Sequence, residues 1–123
     1  MGSPILVAVS DIIFRSKIRA AAEALGRPAV AADGVATALD EARRVAPSLV
    51  VIDLDERRFD ALELVRALKA DPATARAVVI GYFPHVLAEL RERAIEAGCD
   101  RVLPRSAFSR QLHELLAPPD GDR

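Results

Sequence analysis

The residues best placed to do chemistry are the acidic run Asp53-Leu54-Asp55-Glu56, which follows directly on the apolar run Leu49-Val50-Val51-Ile52. A carboxylate that closes a buried strand faces solvent while the backbone behind it stays fixed. In that setting the backbone and an ion can both approach it. Its plainer role is to cap the turn that follows. Asp11 stands just after a similar apolar run, Ile5-Leu6-Val7-Ala8-Val9, and Arg105 just after Arg101-Val102-Leu103. Tyr82, Phe83 and His85 cluster after Val78-Val79-Ile80, where a loop carrying them would form a partner or ligand surface. His113 has no companion ligands for a metal role. The single cysteine, Cys99, rules out an internal disulfide or a multi-cysteine zinc site and reads as a small hydrophobe in a helix-to-strand turn. The chain has neither a glycine-rich dinucleotide fingerprint nor a phosphate loop.

The elements that must position these residues repeat five times as strand then helix. Ile5–Val9, Pro28–Ala32, Leu49–Ile52, Val78–Ile80 and Arg101–Leu103 read as strands. The first shows no alternation, as expected of a strand buried on both faces, and Pro28 puts the second at an edge. Between them, apolar residues recur at helical spacing: Ile18, Ala21, Ala22 and Leu25; Val35, Leu39, Ala42 and Val45; Leu64, Val65 and Leu68; Leu87, Leu90, Ala94 and Ala97; Phe108, Leu112 and Leu115. Gly26 and Gly98 are placed to end the first and fourth helices, and Pro47 and Asp71-Pro72 to end the second and third. This alternation predicts a parallel sheet covered on both faces, a doubly wound three-layer α/β sandwich with too few strands for an eight-stranded barrel. Sites in that architecture form at the carboxyl ends of the strands, here Ser10 and Asp11, Asp53 to Arg57, Gly81 to His85, and Pro104 to Ser106.

Composition narrows the field. A chain of 123 residues, 51% hydrophobic and 28% charged, predicts one globular domain over 1–117 and a disordered tail over 118–123. Seventeen basic against eighteen acidic residues leave a net charge of −1, so no nucleic-acid partner is expected. With four Phe, one Tyr and no Trp, no base-stacking platform is expected. The first apolar stretch is too short for a signal core or a membrane span, which predicts a cytoplasmic protein with no membrane partner.

Four segments together carry a family resemblance. Ile5-Leu6-Val7-Ala8-Val9, Ala32-Asp33-Gly34-Val35-Ala36-Thr37-Ala38-Leu39, Leu49-Val50-Val51-Ile52-Asp53 and Phe59-Asp60-Ala61-Leu62-Glu63-Leu64 resemble, in order and spacing, the receiver domains of bacterial response regulators. The likeness runs from Ile5 to about Leu116 and implies a flavodoxin-like (βα)₅ fold with sheet order 2-1-3-4-5. It also implies a signalling role rather than an enzymatic one, with Asp53 at the position that accepts a phosphoryl group from a histidine kinase.

In that family the transfer is supported by magnesium on acids after the first strand, a hydroxyl after the fourth and a lysine after the fifth. The corresponding residues here differ. Val9 and Ser10 align with the acidic pair, and Asp11 is either the cap of the first helix or, with a one-residue shift, a metal ligand. Gly81 falls at the hydroxyl position, and Arg105 replaces the lysine with a planar fork. Val102 stands at the aromatic switch position, Arg57 where proline is usual and Ala61 where glycine is common. Asp55 aligns with the residue that offers magnesium a backbone carbonyl.

The resemblance thus implies a degenerate receiver that holds Mg²⁺ weakly, through Asp11, Asp53 and the Asp55 carbonyl. It would act mainly by binding a protein partner, a histidine kinase or a downstream effector. The face of the fourth helix, fifth strand and fifth helix, with Arg91, Arg101 and Arg110, is the expected contact surface or homodimer interface. Two alternatives stay open: a working phosphoacceptor switch at Asp53, and a small-molecule binder on the same fold. Asp53-Leu54-Asp55 also resembles the nucleophile motif of haloacid-dehalogenase-type phosphatases, although that family carries it after the first strand.

Overall fold

The structure, a computed structural model, describes residues 2–85 and 87–117; the tail expected over 118–123 lies outside the described residues. Its elements alternate as the apolar runs require: β1 (Ile5–Ala8), α1 (Ile12–Ala24), β2 (Ala29–Ala31), α2 (Val35–Val45), β3 (Leu49–Asp53), α3 (Ala61–Ala70), β4 (Val78–Phe83), α4 (Ala88–Ala97), β5 (Arg101–Pro104), α5 (Arg105–Arg110) and α6 (Leu112–Leu116). All strand pairings are parallel, and the sheet order is β2-β1-β3-β4-β5. Chain order therefore reverses between β1 and β3, and the crevice at their carboxyl ends is the natural site.

Alternation along β3 sorts its side chains into two cores. Val50 and Ile52 enter a cluster with Leu64, Val65 and Leu68 of α3 and Ala38 and Ala42 of α2. Leu49 and Val51 enter the other, with Ile18 of α1, Phe108 of α5, and Leu112 and Leu116 of α6. Asp53 shares the parity of Leu49 and Val51, so it faces the α1 and α5 side. Both flanking helices start on aspartates: Asp11 accepts a hydrogen bond from Phe14 N (3.0 Å) and Asp60 from Glu63 N (3.0 Å). Gly98 ends α4 at φ 124°, a backbone conformation that side-chain-bearing residues rarely adopt.

Two elements depart from the sequence expectation. β4 runs three residues beyond Ile80, because Tyr82 pairs with Asp53 of β3 and Phe83 with Pro104 of β5. Tyr82 and Phe83 therefore sit in the core, 1% and 7% exposed, and do not form the loop surface expected of them. Alternation sends them to opposite clusters. The expected single closing helix is broken at Gln111 (φ −100°, ψ 15°) into α5 and α6. The second piece packs on α1, where Arg27 donates from Nη1 to the carbonyl of Leu116 at 2.5 Å.

Candidate functional site

A shallow cavity of about 530 Å³ opens at the carboxyl ends of β1 and β3 and is lined by Ser10, Asp11, Asp53, Asp55, Glu56 and the arginines Arg57 and Arg58, with Ile12 and Ile13 at its lip. Four carboxylates and two arginines thus meet where strand order reverses. Asp53 is half-buried at the floor, and its Oδ1 accepts a hydrogen bond from Asp55 N at 2.9 Å. Burial raises its pKa above the ordinary aspartate value. The Asp55 amide opposes that shift, the negative charges of Glu56 and Asp55 add to it, and Arg105 lowers it.

Glu56, the last residue of the acidic run, has a role that its place in that run does not announce. Its Oε1 accepts from Ser10 N (3.1 Å), Ser10 Oγ lies 2.8 Å from both carboxylate oxygens, and Oε2 accepts from Arg57 N (3.0 Å) and Arg58 N (3.1 Å). Burial pushes this carboxyl up, but the bonds from Arg58, Ser10 and Arg57 outweigh it and hold the pKa below the usual glutamate value. Glu56 thereby ties the β3–α3 loop to the end of β1. No periodicity announces such a contact, since Ser10 and Glu56 lie 46 positions apart.

The other expected site residues are placed as follows. Asp11 lines the mouth of the cavity, and its side chain is engaged as the cap of α1. Asp55 and Arg105 are exposed, and Arg105 acts on Asp53 through its charge. Gly81 is paired with Ile52, one level short of Asp53 and on the opposite face of the sheet. A Cβ there would lie 2.4 Å from Leu54 Cδ1, so the glycine makes room for Leu54. Tyr82, not Gly81, stands opposite Asp53. Its ring stacks on Phe108 (centroids 5.1 Å apart) and takes Phe14 edge-on (5.1 Å). Burial, then the charge of Asp53, hold the phenol far above the ordinary tyrosine range, so it stays protonated.

Arg91 (α4), Arg101 (β5) and Arg110 (α5) are all exposed, whereas Phe108 and Leu112 belong to the core. Cys99 is buried, and burial pushes its thiol up to about 12. A second cavity of about 340 Å³, lined in part by Leu49, Val78, Ile80 and Arg101, lies at the opposite, amino ends of the strands.

Comparison with solved structures gives this arrangement its kin. The signal receiver domain of a DNA-binding response regulator from Colwellia psychrerythraea matches with TM-score 0.79 at 21% identity, over 94% of this chain and 98% of that one. The chain has the receiver fold. A response regulator from Thermotoga maritima matches with TM-score 0.80 at 20% identity, covering 94% and 95% of the two chains. The chemotaxis protein CheY4 of Vibrio cholerae matches with TM-score 0.85 at 15% identity, covering 94% and 97%. No family model and no curated protein matches the sequence.

Two of the four pocket acids are already committed within the fold. Among the described residues, no three acidic, histidine or cysteine side chains converge as a metal-binding group. Asp11 is engaged with Phe14 N, and Glu56 with Ser10 and the loop amides. No helix among the described residues is long and apolar enough to cross a membrane.

Proposed function

We propose that this protein is a receiver-type module of two-component signalling in the cytoplasm, with Asp53 at the phosphoacceptor position, acting mainly through contacts with a protein partner. The observation that carries this reading is the placement of Asp53: last residue of the central strand, half-buried, and open to a cavity at the point where strand order reverses. The pocket's chemistry supports a weakened switch. A carboxylate attacking phosphorus needs neutralisation of the charge on the phosphoryl oxygens. Arg105 is a cation whose charge reaches Asp53, while Glu56 and Asp55 add negative charge beside it.

Surface character supports a macromolecular partner. Ile12 and Ile13 stand 68% and 84% exposed at the lip of the cavity, and Leu87 is 62% exposed just before α4. On the α4–β5–α5 face, Arg91, Arg101 and Arg110 have no ion pair with a described residue, and Ile95 is an exposed apolar neighbour. A charged rim of this kind steers association and adds little net affinity, so we expect weak pairing there, with a partner or a second copy. Enzymatic turnover is not part of this reading.

The test is acetyl phosphate labelling followed by intact-mass measurement, with a parallel magnesium titration. Slow, substoichiometric labelling confined to Asp53 and weak magnesium binding are expected. Rapid stoichiometric labelling that depends on magnesium would instead establish a working phosphoacceptor switch. For the surface, sedimentation of the native protein and of an Arg101→Glu variant tests self-association.

A further inference from the structure

The hydroxyl of Tyr82 is the one buried side-chain polar atom with no hydrogen-bond partner among the described residues. Leaving such a group dry costs a fold stability, and native structures rarely tolerate it without a reason. Phenylalanine would fill the same aromatic seat between Phe14 and Phe108 without that cost. Tyr82 is also the cross-strand neighbour of Asp53, on the same face of the sheet and at the same level. Its hydroxyl lies within electrostatic reach of Asp53, Arg105, Asp11 and Glu56, the charged groups of the pocket end.

We infer that the Tyr82 hydroxyl is the neutral hydrogen-bond donor of the Asp53 pocket, and that its missing partner is a tetrahedral oxyanion held at Asp53. The oxyanion is either a phosphoryl group carried by Asp53 or a free phosphate. The inference rests on the reading of Asp53 as a phosphoacceptor position and names a residue for it that neither sequence motif nor alignment supplied. In the transfer from acetyl phosphate, an Asp53 carboxylate oxygen forms the new bond to phosphorus as the bond to acetate breaks. Acetate leaves with that electron pair. Tyr82 keeps its proton throughout and only donates a hydrogen bond to a phosphoryl oxygen. Because Phe14 belongs to α1 and Phe108 to α5, a shift of the Tyr82 ring on making that bond reaches both helices.

The sequence supplies the probe. Tyr82 is the only tyrosine and there is no tryptophan, so intrinsic fluorescence reports on this side chain alone. The protein is treated with acetyl phosphate in one arm and orthophosphate in the other, while tyrosine fluorescence and intact mass are followed together. The expected result is a fluorescence change in at least one arm that is absent in Asp53→Asn. A change that tracks added phosphoryl mass identifies the covalent source; a change with orthophosphate and no added mass identifies the free anion.

Tyr82→Phe keeps the ring and should fold. It should match or exceed the parent in melting temperature without anion, lose any stabilisation by orthophosphate, and label Asp53 about ten- to a hundredfold more slowly, the loss expected for one hydrogen bond to a charged group. Labelling of Asp53 with no fluorescence change, or at the parent rate in Tyr82→Phe, would remove Tyr82 and leave the phosphoacceptor reading standing. No response to either anion and no labelling would remove both.

Discussion

The two ends of the sheet treat their polar groups in opposite ways. At the amino end, Arg27 is 2% exposed. Its guanidinium donates to the Ser3 carbonyl (2.9 Å), the Ser3 hydroxyl (3.0 Å), the Leu116 carbonyl (2.5 Å) and the Ser48 hydroxyl. That network joins the chain start, the β3 entry and α6, so a single side chain holds together three distant segments. At the carboxyl end, negative charges crowd around Asp53, the Tyr82 hydroxyl lacks a partner, and isoleucines face solvent. Groups that are saturated at one end hold the fold. Groups left unsaturated at the other are available to a ligand or partner, at some cost in stability.

The comparison is broken most severely at Arg27. Arg27→Ala strips donors from several buried acceptors, and we expect a loss of about 3–5 kcal/mol in denaturant unfolding. A loss under about 1 kcal/mol would show that the amino end is not the structural anchor.

A smaller effect is expected at Gly81, the position aligned with the family hydroxyl. Gly81→Thr, the substitution that would restore that hydroxyl by alignment, drives a Cβ into Leu54 and should destabilise by about 1–3 kcal/mol through overpacking. Acetyl phosphate labelling should not improve. A stable variant with faster labelling would return the hydroxyl role to this position.

Glu56 sharpens the contrast within the carboxyl end, since it is the pocket acid that the fold does satisfy. Its pKa is lowered in the fold, so its contribution is present above the ordinary glutamate value and is lost as pH falls through the folded value. Glu56→Ala should cost about 1 kcal/mol at neutral pH, after allowance for solvent screening, and the difference should vanish in acid. Chemical denaturation across that pH range checks it.

Asp53 gives the smallest change and the opposite sign. Its pKa is raised, so ionisation is disfavoured in the fold and its charge subtracts stability above the folded value. Asp53→Asn should therefore stabilise at neutral pH, by less than about 1 kcal/mol once screened, and the two proteins should converge in acid. Destabilisation by this variant would place Asp53 among the structural groups.

Much of this arrangement was legible in the residues themselves. Mostly apolar runs of three to five residues between helical periodicities determined the parallel sandwich, because strands covered on both faces carry little polar alternation. The abrupt step from Ile52 to Asp53 marked the site, because a charge at that point must reach solvent. Asp11 offered itself as the cap of the first helix, one of two roles left open for it, and the fold uses it so.

Tertiary structure alone decided the rest. Whether Gly81 or Tyr82 stands opposite Asp53 depends on strand register, where one residue changes both the level and the face of a side chain. The break at Gln111 depends on where α6 finds α1 and Arg27, not on local propensity. The bonds between Ser10 and Glu56, and the partnerless Tyr82 hydroxyl, arise between strands and loops distant in sequence. Local pattern records which residues must be buried; only packing settles which polar groups find a partner once they are.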